Sequence, residues 1–115
     1  MWPFRRRQAF REVVDRQLAI FASDHSSLVD QARAALANYH AQPDVRAAQE
    51  QYQEHDELAE QVEELLDDMY RHFAATLEPA AEKAYRKQFA KRAKAAYGDL
   101  LPRLTFDPPE DQLPG

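Results

Sequence analysis

The stretch VRAAQEQYQEHDELAEQVEELLDDMYRHF, residues 45–73, decides the fold. Val45, Ala48, Tyr52, His55, Ala59, Val62, Leu66, Met69 and Phe73 follow one another in alternating steps of three and four. Such steps average ~3.5 residues, so these groups stay on one stripe of an α-helix and suit the seam of a coiled coil. Leu58, Leu65 and Leu77 widen the stripe. The other positions are mostly charged: ten acids and a single base, Arg46, lie between Asp44 and Asp68. A helix from about Pro43 to Leu77 would be ~50 Å long at ~1.5 Å per residue, too long for one compact globule of this size. The spacing therefore predicts an elongated molecule.

Working outward, Pro43 suits the first position of this helix, where its missing N–H has no partner to lose. A turn is expected near Gln42. Upstream, Val14, Leu18, Phe21, His25, Leu28, Ala32, Ala35 and Tyr39 repeat the same alternation without a slip of phase. Its weak place is Ser23-Asp24-His25-Ser26-Ser27, because serine and aspartate compete for backbone hydrogen bonds. A kink or short break is expected there. Downstream, Pro79 punctuates again, and Ala81, Tyr85, Phe89, Arg92 or Ala93, Ala96 and Leu100 outline a third helix that Pro102 ends. Leu104-Thr105-Phe106 can return as an apolar strap before a proline-rich acidic end.

The fold class expected is all-α: an elongated antiparallel helical hairpin, coiled-coil-like, with helices near 4–41 and 43–77. A third helix near 79–101 packs back on the second to make a three-helix bundle. Residues 1–103 form the single helical domain and 104–115 the proline-rich acidic tail. In the hairpin, residue i faces about residue 85 − i, which sets His25 near Glu60 and His55 near Asp30. Reflection about Pro79 brings Lys91 and Lys94 opposite Asp67 and Glu64, and Lys87 near Met69 and Arg71, so an acidic helix lies beside a basic one.

Composition excludes much chemistry. The 115 residues are 44% hydrophobic and 30% charged, with only Gly98 and Gly115 as glycines and no cysteine. Glycine-rich phosphate loops, disulfides, thiolate metal sites and cysteine nucleophiles are all excluded. No apolar run approaches the ~20 residues that span a bilayer, and the start lacks the apolar core of a secretory signal, so a cytoplasmic location is expected. Serines occur only at 23, 26 and 27, and the paired carboxylates Glu63-Glu64 and Asp67-Asp68 sit in a solvated acidic run with no cause for separated pKa values. An enzyme is not expected, nor is a cofactor or small-molecule substrate.

The net charge of −5 is strongly segregated. Residues 1–16 carry five arginines, and the span from Arg71 to Arg103 carries eight bases against Glu78, Glu82 and Asp99. Three function classes follow. The first is a helical interaction or scaffold module that self-associates or binds a helical partner through Leu28, Ala32, Ala35, Tyr39, Val45, Ala48 and Tyr52, a stretch of seam that a short third helix leaves uncovered. The second is contact with an anionic surface through Trp2, Phe4, Arg5, Arg6, Arg7, Lys87, Lys91 and Lys94. A membrane surface suits the basic-aromatic start; nucleic acid is the less favoured target, because no recognition motif accompanies the lysines. The third is a metal-binding bundle built on His25, His40, His55 and His72. It is the least favoured, since the chain has no Glu-x-x-His and no His-x-x-x-His.

Overall fold

The structure, a computed structural model, describes residues 2–109, with side chains described from Phe10 onward. The described residues form four helices and no strand: α1 (Trp2–Asp24), α2 (Ser26–Ala41), α3 (Val45–Ala74) and α4 (Pro79–Tyr97). All-α architecture holds, and the molecule measures 56 × 31 × 21 Å. The expected first helix is two helices, which makes four rather than three. The break is one residue wide: His25 takes φ −119° and ψ 23°, yet its N–H still donates to the Phe21 carbonyl at 2.9 Å and its carbonyl accepts from Val29 N at 3.1 Å. Hydrogen bonding through the joint makes this a kink.

Helix boundaries follow local chemistry. Asp44, not Pro43, starts α3: its carboxylate accepts from Ala47 N at 3.0 Å, satisfying one of the free N–H groups of the first turn. Pro43 stands just before the cap. Pro79 does open α4 at its first position. Between them, Ala75, Thr76 and Leu77 donate back to the last carbonyls of α3, and the Thr76 hydroxyl donates to the Phe73 carbonyl at 2.7 Å.

The bent α1–α2 rod uses its two halves differently. α2 runs antiparallel to the first half of α3, with Tyr39 against Tyr52 and the Ala32 carbonyl against His55. α1 runs parallel to α4, with Phe10 against Tyr85, Asp15 against Arg92 and Phe21 against Tyr97. α4 therefore packs on α1 as well as on α3, whereas the sequence suggested α3 alone. Against α3 it is antiparallel in the expected register, with Tyr70 stacked on Tyr85 at 5.8 Å and Phe73 beside Tyr85 at 4.7 Å.

The buried positions of α4 are Ala81, Tyr85, Phe89, Ala93 and Tyr97, spaced by four throughout, with Glu82 beside them. Those of α3 run His55, Ala59, Val62, Leu66, Tyr70 and Ala74. After Leu66 the core thus moves from the expected Met69 and Phe73 to the next residue along. A straight helix turns its face by ~40° with each four-residue step, and the second half of α3 meets α4 instead of α2. The alternating heptad step does not extend to this half. Beyond α4, residues 98–109 cross back over the bundle: Leu100, Leu101, Leu104, Phe106 and Pro109 are buried. Phe106 meets Tyr70 and Phe89 at 5.2 and 5.0 Å. The expected strap is thus part of the core, and it lies within the span assigned to the tail; residues 110–115 are outside the described residues.

Candidate functional site

Beyond the reach of α4 and the strap, the α2–α3 hairpin stands with only two helices. Tyr39 and Tyr52 close it edge to face at 5.1 Å, yet Tyr52 is 50% exposed and Val45 73% exposed. Of the expected interaction residues, Ala32 and Ala35 are buried within the bundle, while Leu28, Tyr39 and Ala48 are half-buried. The two alanines are small enough to let α2 and α3 approach, and that approach removes them from any partner. Val45 and Tyr52, with the edge of Tyr39, are what the hairpin still presents.

Next to this end lies a groove of about 550 Å³ between α2, α3 and the strap. Tyr39, Tyr52 and His55 line one part, Leu100, Leu101 and Leu104 another, and Asp56, Glu60 and Glu63 run along its α3 side. His55 is buried to 7% exposure and hydrogen-bonds through Nδ1 to the Ala32 carbonyl at 3.2 Å. A carbonyl only accepts, so Nδ1 carries the proton. The register sum of the pair is within two residues of that expected, but the partner is a backbone carbonyl and not the Asp30 carboxylate. His25 packs its ring on Phe21 at 4.8 Å, and it forms no ion pair with Glu60 among the described residues.

Arg33 anchors the strap side of the groove. Its guanidinium meets the Asp99 carboxylate at 3.0 Å through Nε, donates to the Ala96 carbonyl at 2.9 Å, and lies 5.7 Å from the Tyr97 ring centroid. The hydrogen bond from Arg33 holds the Asp99 carboxyl below its usual range, and the same contact raises the guanidinium. Sequence reading missed this clamp, which joins residues 66 apart in the chain. Leu100, Leu101 and Leu104 were visible as apolar groups, but their role as a groove wall depends on the path of the strap.

The second surface is the outer face of α4. Lys83, Lys87 and Lys91 line a shallow depression with Ala80, Ala84 and Gln88, and Lys94 is exposed nearby. Lys87 and Lys91 fall two residues after Tyr85 and Phe89, about 200° around the helix, so burying the rings turns the lysines outward. The expected pairing of Lys91 and Lys94 with Asp67 and Glu64 does not form. The ion pairs among the described residues are Arg33–Asp99, Arg71–Asp67, Arg86–Glu82 and Arg92–Asp15, and they leave the α4 lysines and the groove acids Asp56, Glu60 and Glu63 unpaired.

The side chains of Trp2, Phe4, Arg5, Arg6 and Arg7 lie outside the described residues. Among the described residues no three His, Asp or Glu groups converge as metal ligands, and no helix is long and apolar enough to cross a membrane. No protein family matches the chain, and neither a curated protein nor a solved structure matches it.

Proposed function

We propose that this chain is a non-catalytic helical interaction module that self-associates through the open end of its α2–α3 hairpin. One observation carries the reading: Val45 and Tyr52 are exposed at the open end of the hairpin, and Tyr52, packed on Tyr39, borders a groove of mixed polar and apolar character. Single exposed apolar residues are ordinary on any protein. Here Tyr52 lines a concavity and Val45 stands about two turns before it on the same helix, and large aromatics in such places are the usual anchors of protein interfaces. Sedimentation equilibrium tests it. The protein is expected to associate in the micromolar range, and Tyr52→Glu with Val45→Glu to shift it toward monomer while leaving its melting temperature within a few degrees. A strict monomer at high micromolar concentration sinks the reading.

The second reading, an anionic surface held by Lys83, Lys87, Lys91 and Lys94, is favoured by the lack of ion pairs at these lysines among the described residues. It predicts co-flotation with vesicles rich in anionic lipid, falling steeply as salt rises.

A further inference from the structure

The unpaired acids of the groove and the unpaired lysines of α4 have the same helical spacing. Asp56, Glu60 and Glu63 stand on α3 at steps of four and three, and Lys87, Lys91 and Lys94 stand on α4 at steps of four and three. Each row climbs ~10 Å of helix, and each set is exposed. Within one chain the rows do not meet, because the buried rings of α4 turn its lysines to the outside. We propose that the α4 lysine row of a second copy lies along the acidic side of the groove, parallel to α3, and pairs Lys87, Lys91 and Lys94 with Asp56, Glu60 and Glu63.

This rests on the self-association reading and names its second surface. Helix-in-groove docking suits the shape, since Leu36, Ala59 and Leu104 line the groove together with the acids of α3. The lysine stems are apolar up to the ammonium group, so they can cover the Tyr39 and Tyr52 rings while their charges reach the carboxylates. Cations above those ring faces gain further attraction. Equal spacing on both helices lets all three pairs form at once, which a single offset charge does not achieve. A lysine row of this kind also gives a reason for all four lysines of a chain of net charge −5 to stand on one face of α4.

Charge exchange in the full chain tests the proposal. One variant carries Lys87→Glu, Lys91→Glu and Lys94→Glu; the other carries Asp56→Lys, Glu60→Lys and Glu63→Lys. A control places Glu50→Lys, Glu54→Lys and Glu57→Lys, the same charge change on another face of α3. All these positions are exposed, and circular dichroism melts are expected to match the parent protein. By sedimentation, each of the first two variants alone should associate roughly ten- to a hundredfold more weakly than the parent. Mixed, they should regain association, because every former pair is present with its signs reversed. The control should associate like the parent and should not rescue the lysine-to-glutamate variant. If the first two variants associate as the parent does, or if their mixture does not recover, the row pairing is overturned and self-association through the hairpin stands. A parent protein that is monomeric overturns both.

Discussion

Glu82 is 2% exposed, and the Tyr70 hydroxyl and the Arg86 guanidinium are what make its burial tolerable. Tyr70 donates to Oε2, and Arg86 Nε approaches the same oxygen at 3.1 Å. A buried carboxylate that loses a donor bears much of its desolvation cost alone. Tyr70→Phe is therefore expected to cost about 1–3 kcal/mol in urea unfolding, although the ring is kept. An unchanged midpoint would refute the role of the hydroxyl. Burial also pushes the hydroxyls of Tyr70 and Tyr85 well above the ordinary tyrosine value, in Tyr70 with help from the bond to Glu82. The folded values lie above the unfolded one, so the stability they contribute is complete below ~10 and is lost as pH rises beyond it. Alkaline titration should show phenolate absorbance from these two residues only together with loss of helical circular dichroism. Tyr85 was legible in the sequence as part of a stripe. Tyr70 and Glu82 were not, because each sits one residue off the position that the repeat selects.

At the scale of elements, the joint between α4 and the strap holds the second half of the fold closed. A Cβ on Gly98 would stand 2.6 Å from the Lys94 carbonyl oxygen, whose backbone the Gly98 N–H already contacts at 2.8 Å. Gly98→Ala must therefore push the strap outward, with an expected loss of ~1–3 kcal/mol, visible as a lower melting temperature. A melting temperature equal to the parent's would show that the joint yields freely. Arg33 secures the same joint from α2. The folded Asp99 value is depressed, so the stability from this pair is present above the unfolded ~3.9 and is lost as pH falls through the folded value. Both partners are about half exposed, which limits the pair to ~0.2–1 kcal/mol. Arg33→Ala should lower stability by about that amount at neutral pH and by nothing measurable in strong acid. The helix order and the proline that opens α4 were readable from the chain, while the Asp44 cap and this clamp were not, the clamp because its partners are separated by two helices.

Over the whole molecule, the arrangement of charge distinguishes the functional readings. Attraction between the α4 lysines and carboxylates of a second copy weakens with salt, whereas burial of Val45 and Tyr52 does not. The parent protein should lose part of its association between low and high ionic strength and retain the rest. In the Lys87→Glu, Lys91→Glu, Lys94→Glu variant that salt dependence should reverse, because screening then relieves repulsion. Analytical ultracentrifugation at two ionic strengths reads both effects. Association that rises with salt in the parent would contradict the charge pairing.

Local chemistry by itself determined the all-helical class, the approximate extents of α3 and α4 and the register between them. A repeat of three and four residues holds apolar groups on one side of a helix, proline and aspartate fix where helices begin, and short turns force antiparallel neighbours. Tertiary structure alone decided which neighbour each helix face meets. α4 chose α1 as well as α3, Ala32 and Ala35 were consumed inside the hairpin, and the α4 lysines turned away from the α3 acids. A periodic pattern specifies a face and not its partner. That partner is selected by the rings of Phe21, Tyr70, Tyr85, Phe89 and Phe106, whose burial outweighs exposed ion pairs worth ~0.2–1 kcal/mol each.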